Sequence, residues 1–424
     1  MRPLPFLLLL SLSLLRMPAA DWPEWRGGPA RDGVWNEPGL PGTLPPDGPK
    51  VLWKQSIGTG YSGPSVANGR LYVMDRLEPP AAPEDTERVL CLDADTGEIL
   101  WTHDYPCALD LPGGYENGPR TTPTVRNGKV YTLGAMGHLH CLDAVTGAVL
   151  WMSDLRQDDN ARVPQWGAAN SPLLDGDQLI LQAGGSPDAT LIAFDHNTGA
   201  KRWHSLTNMP GYASLLIVQP GESRQLIAWT ADALCSVDPA NGNLLWQHPR
   251  ELAWEQAVAT PVYHAPSRTL LISSDREGSL ALRLKPDRTG FDILWENFSL
   301  SSLHSVPVLK GAHLYGLNHN GRFKNECGEF RCVDLLAGEK LWAERTVTRM
   351  GGFAQAIVTL NRANDVFYIT NELGELILAR ADPDGYRELA RAQLTGKTWT
   401  HPAYANGRIY ARSEKTLLCA DLNP

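Results

Sequence analysis

A chain of 424 residues that is 43% hydrophobic can bury a sizeable core, which excludes a disordered or fibrous protein. Its 38 Lys+Arg against 47 Asp+Glu leave a formal net charge of -9 with no long run of one sign, so sequence-independent binding to nucleic acid or to an anionic membrane is excluded as well. With 14 Trp against 8 Phe, and with 39 Gly and 32 Pro, the composition favours many short strands joined by turns and anchored by large rings, an all-β chain.

Residues 1–20 open with Arg2, continue through an apolar run from Leu4 to Leu15 and end in Pro18-Ala19-Ala20 ahead of Asp21. The run is shorter than the roughly 20 residues a spanning helix needs, so it reads as a secretory signal peptide, and no membrane span is expected. No Cys lies near the cleavage region to accept a lipid. The protein is therefore expected to be exported, periplasmic or extracellular, and not lipid-anchored. Residues 21–50 are dense in Pro, Gly and Trp and show no period. They are expected to run extended along the outside of the following domain, with Trp22, Trp25 and Trp35 as anchors.

From residue 51 to residue 424 a repeat takes over. Asp, three residues, Gly, three residues, Trp occurs as Asp93-Gly97-Trp101, Asp143-Gly147-Trp151, Asp195-Gly199-Trp203, Asp238-Gly242-Trp246 and Asp334-Gly338-Trp342. Trp295 ends a looser copy, and Ala381 to Gly385 is a copy without Trp. Successive Trp lie roughly 48 residues apart, the size of a four-stranded propeller blade. Each unit starts on a strand with an Asn-Gly or similar turn, as at Asn68-Gly69, Asn127-Gly128 and Asn406-Gly407, and Asn-Gly suits the primed turns of antiparallel hairpins. The last unit stops after Asp421 without a Trp strand, while Val51–Trp53 is a Trp strand without a unit. Each supplies what the other lacks, so the fold expected is an eight-bladed β-propeller of four-stranded antiparallel blades closed by an N-terminal strand. The recurring Asp, Gly and Trp are read as blade geometry: Asp to bond its own turn, Gly for positive φ, Trp to fill the space between blades.

The Asp-x-x-Thr-Gly-x-x-x-Trp units resemble the tryptophan-docking motif of PQQ-like β-propeller repeat proteins, and Trp22-Pro-Glu-Trp-Arg-Gly-Gly with Arg31-Asp-Gly is similar to an N-terminal signature of exported members. The resemblance covers about residues 51–424. It implies either a quinoprotein dehydrogenase or a non-catalytic propeller like the one in the outer-membrane β-barrel assembly machine, since fold alone does not decide function. The alcohol dehydrogenases of this type carry adjacent Cys, calcium ligands and in some cases a haem motif. No two of the seven Cys are adjacent here, and no Cys-x-x-Cys-His occurs. No cofactor is therefore expected, with PQQ plus calcium as the alternative.

Other motifs read as structure. Gly58-x-Gly60-x-x-Gly63 matches a dinucleotide-binding pattern, but Pro64 and a hairpin follow where a helix is required. His138 and His140 alternate on one strand with no third ligand close in sequence, and are read as ordinary strand residues, so no metal is expected. Cys91, Cys141, Cys332 and Cys419 recur two residues before an Asp and are read as buried thiols, whereas Cys327 and Cys332 could bridge a hairpin.

Function is sought in what varies between units. Pro64, Pro123, Pro172, Pro261, Pro307 and Pro402 each open an innermost strand, and residues two or three before them are expected to line one mouth of the central channel. These include Tyr61, Ser62, Arg120, Thr121, Asn170, His304, Ser305 and Trp399, with Tyr212 and Gln355 at the equivalent places in the two units without Pro. Such a mouth suits a small polar ligand or a protein segment. The leading expectation is an exported, non-catalytic scaffold or ligand-binding module, with no catalytic residues. The alternatives are a PQQ-dependent dehydrogenase and a polysaccharide-active enzyme using His304 and Arg120.

Overall fold

In a computed structural model, which describes residues 21–79, 81–108, 118–319, 324–349, 351–352 and 354–423, eight antiparallel sheets form the closed ring. The expected signal peptide lies outside the described residues. Blade 1 comprises Ser65–Ala67, Arg70–Leu77, Thr86–Asp93 and Ile99–Pro106, and blade 2 runs from Thr124–Arg126 to Val149–Asp154. Blades 3 to 7 open with Leu173–Asp175, Leu216–Val218, Val262–His264, Val308–Lys310 and Ala356–Asn361. Blade 8 joins Ala403–Ala405, Arg408–Arg412 and Thr416–Asp421 to Lys50–Ser56, which pairs with the last of these through Lys50↔Asp421 and Trp53↔Cys419. The expected closure is present.

The repeat chemistry explains why the blades hold together. Asp93 Oδ1 accepts from the backbone N–H of Asp95 and of Thr96 and from the Thr96 hydroxyl, tightening the turn before the outermost strand. Gly97 follows at φ +75°, and a Cβ there would fall 2.5 Å from Cδ2 of Trp53, the indole of the neighbouring blade. Gly147, Gly199 and Gly338 meet Trp101, Trp151 and Trp295 in the same way. The Trp and Gly are thus one device: the indole lies on a backbone that only glycine leaves bare. The indole N–H groups of Trp53, Trp101 and Trp151 then donate across the seam to Ala94 O, Ala144 O and His196 O, at 3.1, 3.2 and 3.2 Å, whereas Trp203 and Trp246 donate to Gln178 and Gln225 of their own blades. Directly opposite each Trp in its own sheet stands a small residue, such as Cys91, Cys141, Ala193 or Cys419. That spacing accounts for the recurrent buried thiols. All seven Cys are free, so the Cys327–Cys332 bridge is not formed. Blade 7 has no Trp, and there Leu40 and Leu44 of the N-terminal segment join the cluster containing Leu389 and Ala390.

The placement of residues 21–35 corrects the expectation that they pack outside. Innermost strands leave one row of backbone groups unpaired toward the channel, and this stretch supplies their partners. Trp22 pairs with Val66, Val125 N–H donates to Pro23 O, and Val34–Trp35 adds a parallel fifth strand to blade 7. Arg26 donates to Val306 O at 2.8 Å, and Arg31 to Ser171 O at 3.2 Å and to Pro172 O, so two guanidinium groups tie together blades on different sides of the ring. Arg31 is completely buried and ion-paired with Glu24, which also meets Arg126.

Candidate functional site

Aligning the eight innermost strands by register gives one equivalent position per blade, three residues before the Pro in the six blades that have one: Tyr61, Arg120, Ala169, Tyr212, Val258, His304, Gln355 and Trp399. All of these except Gln355 line a single cavity of about 190 Å³, together with Trp25, Trp166, Ser214, Gln256, Thr260, Leu303 and His401. Residues one place later point the other way, into the blades, because side chains alternate along extended backbone. Ser62 accepts from Met74 N–H, Thr121 donates to Leu133 O, and Ser305 is buried.

Five residues expected at the mouth therefore fall elsewhere: Ser62, Thr121 and Ser305, turned into the blades, and Asn170 and Gln355. Asn170 occupies the inward register; its amide donates to Gln182 O and accepts from Gln182 N–H, both at 3.0 Å, in a structural role. Its place at the cavity is taken by Ala169. Gln355 has the right register but is buried beside Glu372 and does not reach the lining described. The contributions of Trp25, Trp166 and His401 were not foreseen. Trp25 comes from the channel segment, donates its indole N–H to Thr260 at 3.2 Å and lies 4.2 Å from the His401 ring centre.

The cavity wall is a file of rings. Tyr61 and Trp399 lie 6.1 Å apart at 15°, and Trp399 and His304 6.2 Å apart at 14°. The Arg120 guanidinium stands 5.2 Å from the Tyr61 ring centre, a cation–π arrangement, and Nη1 donates to Gly118 O at 2.7 Å. Among the described residues no carboxylate forms an ion pair with Arg120, and no Asp or Glu lines the cavity. Trp166 and Tyr212 form a second ring pair at 5.9 Å. The His304 ring is exposed to the cavity, but the protein packed around it, then the neighbouring His319 and Arg120, push its pKa below the usual imidazole range, so it is neutral at pH 7. Burial lowers the pKa of His401 too, helped by Arg26.

The glycines of Gly58-x-Gly60-x-x-Gly63 serve packing. A Cβ at Gly58 would fall 2.1 Å from Arg76 O and one at Gly63 2.9 Å from His401 O, and the segment leads into the strand Ser65–Ala67.

A closed eight-bladed propeller with one aromatic, singly cationic cavity at a channel mouth is the class that fold and site define. The family follows from comparison. A family model described as outer membrane protein assembly factor BamB matches residues 44–108 and 85–344, more than half of the chain. This protein belongs to that family of PQQ-like propellers. A search of curated protein sequences finds no significant match. Among solved structures, the chain is similar to BamB from Moraxella catarrhalis, at 16% identity and a TM-score of 0.57 over 88% of this chain and 99% of that one. It is similar also to a europium-containing methanol dehydrogenase, at 13% identity and a TM-score of 0.64 over 95% and 89% of the two chains. The quinohemoprotein alcohol dehydrogenase ADHIIG from Pseudomonas putida HK5 matches at 12% identity and a TM-score of 0.54, over 95% and 80%. At these identities the structural matches establish the fold.

No helix among the described residues is long and apolar enough to cross a membrane.

Proposed function

We propose that this protein is an exported, non-catalytic propeller that acts as a scaffold and holds an anionic small molecule or an acidic or aromatic segment of a partner protein in the cavity between Arg120 and Trp399. The observation that carries this reading is a guanidinium that no carboxylate among the described residues pairs with, held at the end of a file of rings. A planar donor fork takes a carboxylate or phosphate, and the rings offer stacking faces. Membership of a family described by an assembly factor supports a scaffold role. The donor set suits PQQ with calcium poorly, because the lining supplies one cation and no acidic oxygen for the metal.

A second reading draws on His304 and Arg120 sharing the cavity: a neutral imidazole beside a carboxylate-binding cation is the pair that proton abstraction from a uronate polymer needs. One experiment separates the readings. Tryptophan fluorescence is titrated with aromatic carboxylates and acidic peptides, in wild type and in the Arg120→Ala/Trp399→Ala double variant. In parallel, the protein is assayed with PQQ and Ca2+ for dye-linked alcohol or sugar oxidation, and with uronate polymers for unsaturated products. Saturable binding lost in the double variant, with neither turnover, supports the scaffold; turnover that disappears with Arg120 or His304 replaces it with an enzyme.

A further inference from the structure

Away from the channel, the seam between blades 1 and 2 gathers chemistry that a blade interface does not require. Glu87 lies on the third strand of blade 1, Cys107 directly follows its outermost strand, and His138 starts the third strand of blade 2. A carboxylate oxygen, the thiol sulfur and a ring nitrogen of these three all lie within 4.8 Å of one another. Glu87 and Cys107 are buried. Neighbouring groups fix the carboxylate: Tyr105 donates its hydroxyl to Oε2 at 2.7 Å, and Ala135 N–H donates to Oε1 at 3.0 Å. Gly134 leaves room for it, since a Cβ there would fall 2.2 Å from Glu87 Oε2 and 2.6 Å from the Tyr105 hydroxyl.

The imidazole is only half provided for. Its Nδ1 is buried without a hydrogen-bond partner, while Nε2 lies 3.9 Å from the Asp154 carboxylate. Two more orphaned ring nitrogens, His140 Nδ1 and His103 Nε2, lie in the same seam, with the two rings 4.8 Å apart. Buried polar atoms without partners are rare in proteins, and each calls for an explanation.

We propose that Glu87, Cys107 and His138 form a zinc site that clamps blade 1 to blade 2. One sulfur, one nitrogen and one carboxylate oxygen are a mixed borderline-soft set that suits tetrahedral Zn2+, with the fourth position left to water. Ligation through Nδ1 leaves Nε2–H facing Asp154, the carboxylate–histidine–metal arrangement that orients a ligating ring. On binding, the thiol gives its proton to solvent and ligates as thiolate, so metal and fold are linked. No third ligand stands near His138 in the sequence, because the other two come from the preceding blade.

The test uses the full chain, reduced and freed of metal by chelation, titrated with Co2+ as a spectroscopic probe and then with Zn2+. The expected result is a thiolate-to-cobalt charge-transfer band that saturates at one metal per chain and is displaced by Zn2+, with a higher melting temperature in Zn2+. Cys107→Ser should lose the band, and His138→Gln should weaken cobalt binding by at least about tenfold. Absence of the band in wild type overturns the proposal without reference to any variant. A band that survives Cys107→Ser, or unchanged affinity in His138→Gln, overturns it equally.

Discussion

If indole and glycine are one docking device, then Trp151→Ala and Gly199→Ala must not act independently. The Trp151 ring is 9% exposed, stacks 6.2 Å from Phe194 and donates to His196 O. Its truncation should cost about 3–5 kcal/mol. The His196 carbonyl keeps a partner in the Tyr131 hydroxyl at 3.1 Å, which argues for the lower half of that range. Gly199→Ala places a methyl 2.7 Å from Trp151 Cδ2 at φ +74°. The left-handed conformation alone costs about 1–2 kcal/mol and the overlap adds about 1–3 kcal/mol. Once the ring is gone the overlap is gone as well, so in the Trp151→Ala background the alanine should cost only the conformational part. The double variant should therefore be about 1–3 kcal/mol more stable than the sum of the single losses predicts. Guanidinium unfolding followed by far-ultraviolet circular dichroism measures all four corners of the cycle. Additivity within about 0.5 kcal/mol would refute the coupling.

Three further outcomes are expected. Deleting residues 51–57 removes the strand that pairs with Thr416–Asp421 and bares a sheet edge, so light scattering should report aggregation; a soluble truncation with an unchanged melting temperature would contradict closure by this strand. Arg31→Met leaves buried Glu24 with the half-exposed Arg126 as its ion-pair partner among the described residues and removes the guanidinium from the Ser171 and Pro172 carbonyls, of which Pro172 keeps the Thr124 hydroxyl, and this should cost about 3–5 kcal/mol; a loss under about 1 kcal/mol in chemical denaturation would contradict a structural role for this buried pair. His401, held neutral by burial, has a folded pKa below its unfolded value near 6.5, so the native state binds fewer protons. Its contribution is complete above about pH 6.5 and is lost as pH falls below that, by up to about 1.4 kcal/mol per pH unit. His401→Gln should flatten that limb, and an unaltered slope would mean that the ring is solvated.

The fold was legible because its causes are local and repeated. Asp93, Gly97 and Trp101 each act within a few residues or on the next unit, so the period in the sequence is the period in space. The orphan strand at Trp53 was equally readable, since a ring must close. The site was legible in part. Tyr61, Arg120, Tyr212, His304 and Trp399 share one register and one cavity, whereas Asn170 was assigned a place too late, and a one-residue slip turns a side chain to the opposite face. Pro172 marks the register, and counting three residues back from it gives Ala169. Nothing in residues 21–35 is periodic, so the repeat pattern carries no sign of their path through the channel. The signal that pointed inward was the pair Arg26 and Arg31 in a Pro- and Gly-rich stretch, since innermost strands need donors for their free carbonyls. Trp25 enters the cavity because residues 21–35 run through the channel, and the Glu87, Cys107 and His138 cluster spans two blades that no local motif connects.

The channel segment also sets a clock. Arg26 takes its acceptor 280 residues further along the chain, and Lys50 waits for Asp421. At about 5–20 residues per second a ribosome needs roughly 20–70 seconds to deliver that last strand. During this interval the partners of residues 21–35 appear one blade at a time, from Val66 to Asn361, while the strand Lys50–Ser56 still lacks its own. Order of emergence and order of assembly run opposite at this one seam. The ring can close only when the last strand is made, although the strand it pairs with is among the first.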